Sequence, residues 1–200
     1  MRTRALDDTA AAATTAAAGS ERAAAGGPRG RRTAVLALLT LVLLLAARSW
    51  VAEPLRIPSE SMSPTLRPGQ HVLAEKVSRH VRSWQRGDIV GFESPADGAL
   101  LVKRIVGLAG DRVAIRDGRL LVNGTRVHEP YADPDDIDSE FYGPVRVPVG
   151  EVLVLGDNRA ESVDSRDFGT VPATDLGSRV IAVFWPLPDL ELINNERDPS

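Results

Sequence analysis

Cysteine is absent from the 200 residues. That excludes disulfides, thiolate metal sites and a thiol nucleophile, and it suits an extracytoplasmic location. Histidine is sparse: His71, His80 and His128 are scattered without HExxH-like spacing. They read as ordinary surface histidines, and no metal site is expected. No GxSxG elbow and no phosphate-binding glycine loop is present. A Ser-His-Asp triad stays open, because its members converge only in the fold. Lysine is the scarcest charge: of 24 basic residues, only Lys76 and Lys103 are lysines. No internal repeat is found, and no long 3.6-residue pattern occurs outside one apolar run.

The net charge of −3 hides an asymmetry. In residues 1–32, Arg2, Arg4, Arg22, Arg29, Arg31 and Arg32 outnumber Asp7, Asp8 and Glu21 by six to three, giving +3. The remainder is acidic, which argues against a nucleic-acid partner. Residues 1–32 are rich in Ala, Thr, Gly and Arg and have little to bury, so a disordered tail is expected.

Ala34 to Ala47 is uncharged and almost wholly apolar. A membrane helix needs about 20 residues. Arg48, Ser49, Trp50 and Val51 extend the run, with Arg48 able to snorkel and Trp50 suited to the interface. Arg29, Arg31 and Arg32 lie just upstream. The expectation is an anchor over residues 33–52, with the N-terminus cytoplasmic and the rest outside. A buried core helix and a cleaved secretory signal are the competing readings; all-round apolarity weighs against the first and the long polar lead against the second.

Beyond the anchor, residues 53–200 show short Val/Ile/Leu-rich stretches separated by turn residues. Strands are predicted at His71–Val77, Asp88–Glu93, Ala99–Leu108, Arg112–Arg116, Arg119–Val122, Glu151–Leu155 and Arg179–Trp185. Asp117-Gly118 marks a type I′ hairpin, and Asn123-Gly124 another turn. Ser78–Trp84 is read as a short helical turn, and about 123–150 as a small insertion or exposed loop. The fold class is mainly β: an antiparallel β sandwich or partly closed barrel with one N-terminal transmembrane helix.

Arg stays protonated, whereas a buried Lys can shed its proton and act as a base. Lys103 lies in ALLVKRIVGL, which reads as a mostly buried strand, with Arg104 pointing to the opposite face. Lys76 reads as a surface lysine. A nucleophile is sought in Ile57–Leu66, where Pro58 and Pro64 stiffen a turn crowded with hydroxyls. Composition alone would make this a plain Ser/Pro loop. Ser61 follows Trp50 by eleven residues, so it lies within about 40 Å of the membrane.

Four stretches together resemble bacterial type I signal peptidases. Pro58-Ser59-Glu60-Ser61-Met62-Ser63-Pro64-Thr65-Leu66 resembles the nucleophile box, and Gly87-Asp88-Ile89-Val90-Gly91-Phe92 the strand box that follows. Lys103-Arg104-Ile105-Val106-Gly107-Leu108-Ala109-Gly110-Asp111 resembles the lysine box. Gly156-Asp157-Asn158-Arg159, continuing through Ser162, Asp164, Ser165 and Arg166 to Gly169, resembles the C-terminal box. The resemblance covers about residues 33–186 in the expected order. Departures are Gly91, where the family often has a β-branched residue, Ala109 for a common proline, and Ala160-Glu161.

The resemblance implies Ser61 as nucleophile and Lys103 as general base. It implies an oxyanion hole from the Ser59 hydroxyl and the Ser61 N–H, with Ser162 orienting the Lys103 amine. Asp157, Asp164 and Arg166 would support the site. It also implies no cofactor and no metal, and partners that are exported preproteins and membrane lipid. The substrates would carry Ala-x-Ala-like sites before the scissile bond. Any second β domain would be small, and no second span is expected after Trp185. The alternatives are a Ser–Lys protease with another substrate, as in repressor-type autoproteases, and an anchored, non-enzymatic β binding module.

Overall fold

The computed structural model describes residues 28–77, 81–132 and 141–193, with the side chains of residues 28–29 and 44–50 of the first helix left out. The expected tail up to residue 27, His80, the start of the Ser78–Trp84 turn and residues 133–140 of the insertion lie outside the described residues. The chain divides into two compact units, residues 1–41 and 42–200.

Helix α1 spans Pro28–Val51. Proline suits the first helical position, where its missing N–H costs nothing, and the Leu/Ala-rich run that follows favours helix. Among the described residues, Val35, Leu36, Leu38, Leu39, Leu41, Val42 and Leu43 are all more than half exposed, so the helix presents large apolar side chains over most of its circumference. No helix among the described residues is long and apolar enough to cross a membrane.

The rest is antiparallel β. The larger sheet joins β1 (Ala52–Arg56), β2 (His71–Glu75), β3 (Ile89–Glu93), β4 (Leu100–Gly107), β9 (Glu151–Leu155), β10 (Val171–Pro172), β11 (Leu176–Trp185) and β12 (Glu191–Leu192). Their order is β1-β2-β11-β3-β4-β9-β10, with β12 also on β11. The smaller sheet, β7-β6-β5-β8, uses β5 (Arg112–Arg116), β6 (Arg119–Val122), β7 (Thr125–Arg126) and β8 (Phe141–Arg146). Both predicted turns are present. Asp117 and Gly118 have φ of 47° and 67°, Asn123 and Gly124 54° and 85°, the double positive φ of a type I′ turn.

One apolar cluster joins the two sheets: Val106, Leu153 and Leu155 of the larger sheet's strands pack with Val113, Ile115, Leu120 and Val122 of the smaller. A second holds Ile57, Met62 and Leu66 against Val72, Ile89 and Val180. The segment joining β1 to β2 is thereby pinned to the sheet through its own apolar side chains. At Gly91 a Cβ would lie 2.9 Å from Ser178 Oγ on β11, so the buried Ser178 occupies space a β-branched residue would claim.

β8 falls inside the stretch expected to be an insertion or loop, and its side chains are mostly exposed. The start of that stretch is less exposed than its polar composition suggested. Val127 is buried in the shared cluster, and Glu129 and Tyr131 are drawn inward by two arginines described below.

Candidate active site

The segment carrying Ser59 and Ser61 is a closed loop. Its neck is tied by Ile57 N–H to Gln70 O and Gly69 N–H to Ile57 O, both at 2.9 Å. Inside it, Glu60–Met62 forms a 3₁₀ turn, which Ser63 N–H closes onto Glu60 O at 2.9 Å. Ser61 is 9% exposed, and the Ser59 hydroxyl donates to Ser61 Oγ at 3.2 Å. A hydroxyl donor thus stands beside the oxygen that would attack.

Lys103 sits in the middle of β4, opposite Val90 of β3. It is 2% exposed and forms no ion pair among the described residues. Burial away from water pushes its pKa down from 10.5 to about 8. Asp164 pulls it back up, and Arg166 counters Asp164. The geometry explains that balance: Arg166 Nε donates to Asp164 Oδ1 at 2.8 Å and its terminal nitrogen to Oδ2 at 2.9 Å. With the carboxylate so neutralised, desolvation decides.

Lys103 shares one cavity of about 260 Å³ with Ser59 and Ser61. Its walls are largely apolar, with Ile57, Met62, Leu101 and Val102 among them. The strand and the loop therefore deliver an amine of depressed basicity, two hydroxyls and a small apolar recess to one place.

The turn after β9 supports this from behind. Gly156 N–H donates to Asp164 Oδ2 at 2.9 Å, as does the Ser162 hydroxyl at 2.8 Å. Asp164 caps α2 (Ser165–Phe168) through the Arg166 N–H. Asn158 N–H donates to Ser61 O at 3.2 Å, which ties the turn to the loop carrying Ser59 and Ser61. At Gly156 a Cβ would lie 2.5 Å from Ser61 O and 2.3 Å from Ser162 Oγ. Glycine is required here for close approach, not for an unusual φ.

Residues 30–185 match the family described as signal peptidase, peptidase S26. The chain belongs to the S26 signal peptidase family. It is 40% identical over 158 residues to signal peptidase I of Leptolyngbya laminosa, covering 74% of this chain and 76% of the relative. It is also 40% identical to the probable signal peptidase I-2 of a Synechocystis species, covering 78% and 74%. With signal peptidase I of Bacillus licheniformis it shares 35% identity, covering 76% and 87%.

Within this S26 chain, the residues singled out from sequence fall in three places. Ser59, Ser61 and Lys103 line the cavity. Ser162, Asp164 and Arg166 form the hydrogen-bonded layer around the turn. Asp157 belongs elsewhere: it takes the Arg104 guanidinium in a fork, with Nε to Oδ1 at 2.8 Å and a terminal nitrogen to Oδ2 at 2.7 Å. Arg104 does face away from Lys103, but its face is buried too, at 3% exposure. It also donates to Gly87 O at 3.0 Å and Thr65 Oγ1 at 3.4 Å, and stacks 3.8 Å from the Tyr131 ring centroid.

Sequence reading placed Arg104 and Arg159 in the family boxes without giving either a role, and nothing singled out Tyr131 or Glu129. Arg159 pairs with Glu129 and donates to Gly156 O at 3.0 Å. A lone buried charge is costly, so partners are needed, but their sequence distance hides them. Lys76 pairs with Glu53 at 2.6 Å on a half-exposed surface, as a surface lysine should. Among the described residues no group of three or more His, Cys, Asp or Glu could hold a metal ion.

Proposed function

We propose that the chain is a membrane-bound serine endopeptidase that removes signal peptides from exported preproteins, with Ser61 as nucleophile and neutral Lys103 as general base. The single observation that carries this reading is the cavity in which both residues meet, with the lysine buried and unpaired among the described residues. Serine attacks only when a base accepts its proton. At pH 7 a lysine of pKa about 8 is neutral in about one molecule in ten. Lys103 Nζ takes the Ser61 Oγ proton as Oγ bonds the scissile carbonyl carbon. The oxyanion is held by the Ser59 hydroxyl and the Ser61 N–H, each such donor being worth about 3 kcal/mol.

On collapse, the ammonium gives its proton to the leaving amine and the C–N bond breaks. Lys103 then deprotonates a water that attacks the acyl ester, which frees Ser61 and returns the proton to its oxygen. Ser162, with Asp164 and Arg166 behind it, orients the Lys103 amine, and Asp157 supports the site through Arg104. The cavity suits small side chains, which favours Ala-x-Ala-like sites.

The finer architecture belongs to the same proposal: the two sheets form a sandwich or partly closed barrel, residues 53–200 are the catalytic domain, and residues 33–52 are a single uncleaved span. The described part of α1 is not long and apolar enough to cross alone, but Leu44, Leu45, Ala46 and Ala47 continue the apolar run in the sequence. The exposed apolar side chains along α1 support the span, because such a surface needs an apolar surrounding. Arg29, Arg31 and Arg32 support a cytoplasmic N-terminus and a catalytic domain outside. Mass spectrometry of membrane-extracted protein should find peptides preceding Trp50 joined to the domain; a mature chain starting at Trp50 would overturn the span.

Incubating the detergent-solubilised protein with a preprotein and sequencing the new N-terminus tests the activity. A cut after a small-x-small site is expected; no cut, or one unrelated to the signal peptide, would sink the reading. In the same assay log kcat/KM should rise with unit slope up to about pH 8 and then level, because the protonated amine is inactive. A profile still climbing at about pH 10, the range of an unperturbed lysine, would count against a buried base.

A further inference from the structure

The acids around the site are nearly all engaged. Asp157 is held by Arg104, Asp164 by Arg166 and Glu129 by Arg159. Glu60, in the nucleophile loop, accepts from the Ser63 hydroxyl at 2.5 Å. Glu161 differs. It lines the cavity of Ser61 and Lys103 and is exposed, yet among the described residues it forms no ion pair. Its main chain is fixed: the N–H donates to Asn158 O at 3.3 Å and Asn158 Oδ1 at 3.2 Å. The same Asn158 N–H holds Ser61 O, so Glu161 is placed by the turn that holds the nucleophile loop. Of the residues lining the cavity, Lys103 and Glu161 are the ionisable ones, one buried and one at the rim.

We propose that Glu161 reads the charge of the substrate side chain flanking the small residue held in the cavity, favouring a basic side chain over an acidic one. The inference rests on the proteolytic reading of this cleft. A substrate lying across Ser61 must pass the rim, and the rim's charge is a carboxylate whose strength is not spent on a neighbour. The apolar wall beside it sharpens the effect, since a docked chain displaces water and lowers the local dielectric. One exposed pair is worth up to about fivefold in affinity. Comparing lysine with glutamate counts attraction and repulsion together, so a preference of about three- to tenfold is expected at low salt. Screening should shrink it as salt rises.

The test uses the full chain in detergent and peptides with an Ala-x-Ala-like site. These carry Lys, Asn or Glu either at the middle position or just after the scissile bond. At one of these positions wild-type protein should cleave the Lys peptide with the higher kcat/KM, mainly through KM, and the ratio should fall in about 0.5 M salt. Glu161→Gln should bring the Lys-to-Glu ratio close to one, and Glu161→Lys should invert it. Glu191→Gln, on β12 and outside the cavity, should keep the wild-type ratio. A ratio unchanged by Glu161→Gln would overturn the inference. Wild-type protein that cleaved all the peptides equally would sink this inference alone. One that left the Asn peptides uncut would sink the protease reading and the inference with it.

Discussion

Lys103→Arg is expected to lower turnover by about 10²- to 10⁴-fold, the usual contribution of general-base catalysis. Positive charge and approximate length are kept, but the guanidinium cannot shed its proton at working pH. A lysine that merely formed an ion pair would survive this change. Because Lys103 is buried in a largely apolar recess, a permanent charge there should also lower stability. Lys103→Met separates the two effects, since it removes the base and suits the burial. Its thermal melt should be at or above that of the wild type while activity stays lost. Lys76→Arg, which can keep the partner Glu53, is the matched control and should be near neutral. An active Lys103→Arg protein would reopen the search for another base.

Ser61→Ala should remove essentially all cleavage, a loss of about 10⁶-fold where a nucleophile acts with its base as a unit. The fold should be untouched, because Met62, Leu66 and Ile57 pin the loop by apolar contacts and the lost hydroxyl holds none of them. Ser59→Ala should be milder, at about 10²- to 10³-fold, since one oxyanion donor remains in the Ser61 N–H. Circular dichroism and a thermal melt, run beside the preprotein assay, check both. Near-normal turnover by Ser61→Ala would show that another hydroxyl attacks.

The strands that carry the site were legible because buried strands advertise themselves. β4, β5, β6 and β9 are runs of Val, Ile and Leu bounded by glycine or a type I′ pair. What escaped were strands whose sequence does not need a core. β1 is an edge strand containing Pro54. β8 is also an edge, contains Gly143-Pro144 and is mostly exposed. Proline is tolerated at an edge because its missing N–H faces no partner, and the same residues read as loop when the edge is unknown.

That Ser61 and Lys103 line one cavity could be anticipated for another reason: a scarce lysine in a buried strand and a proline-stiffened serine turn stand out locally, and the family boxes join them. The Arg104–Asp157 pair was not legible as a pair. Its partners lie 53 residues apart, and nothing in either neighbourhood names the other. Glu129 and Tyr131 were hidden by an acidic, proline-bearing stretch that looks solvated until two arginines claim them.

The packing at Gly156 sets a tolerance on the whole site. Ser61 O and Ser162 Oγ leave no room for even one methyl group between the turn and the loop carrying Ser61. Glycine-to-alanine exchange is a common way to stiffen a protein through its unfolded state, and an engineer seeking a hardier enzyme would reach for it. Here the added carbon would act as a shim, forcing Ser61 away from the turn that holds it. Gly156 should therefore be exempt from any stabilisation campaign, and gains sought instead on surfaces remote from this seam.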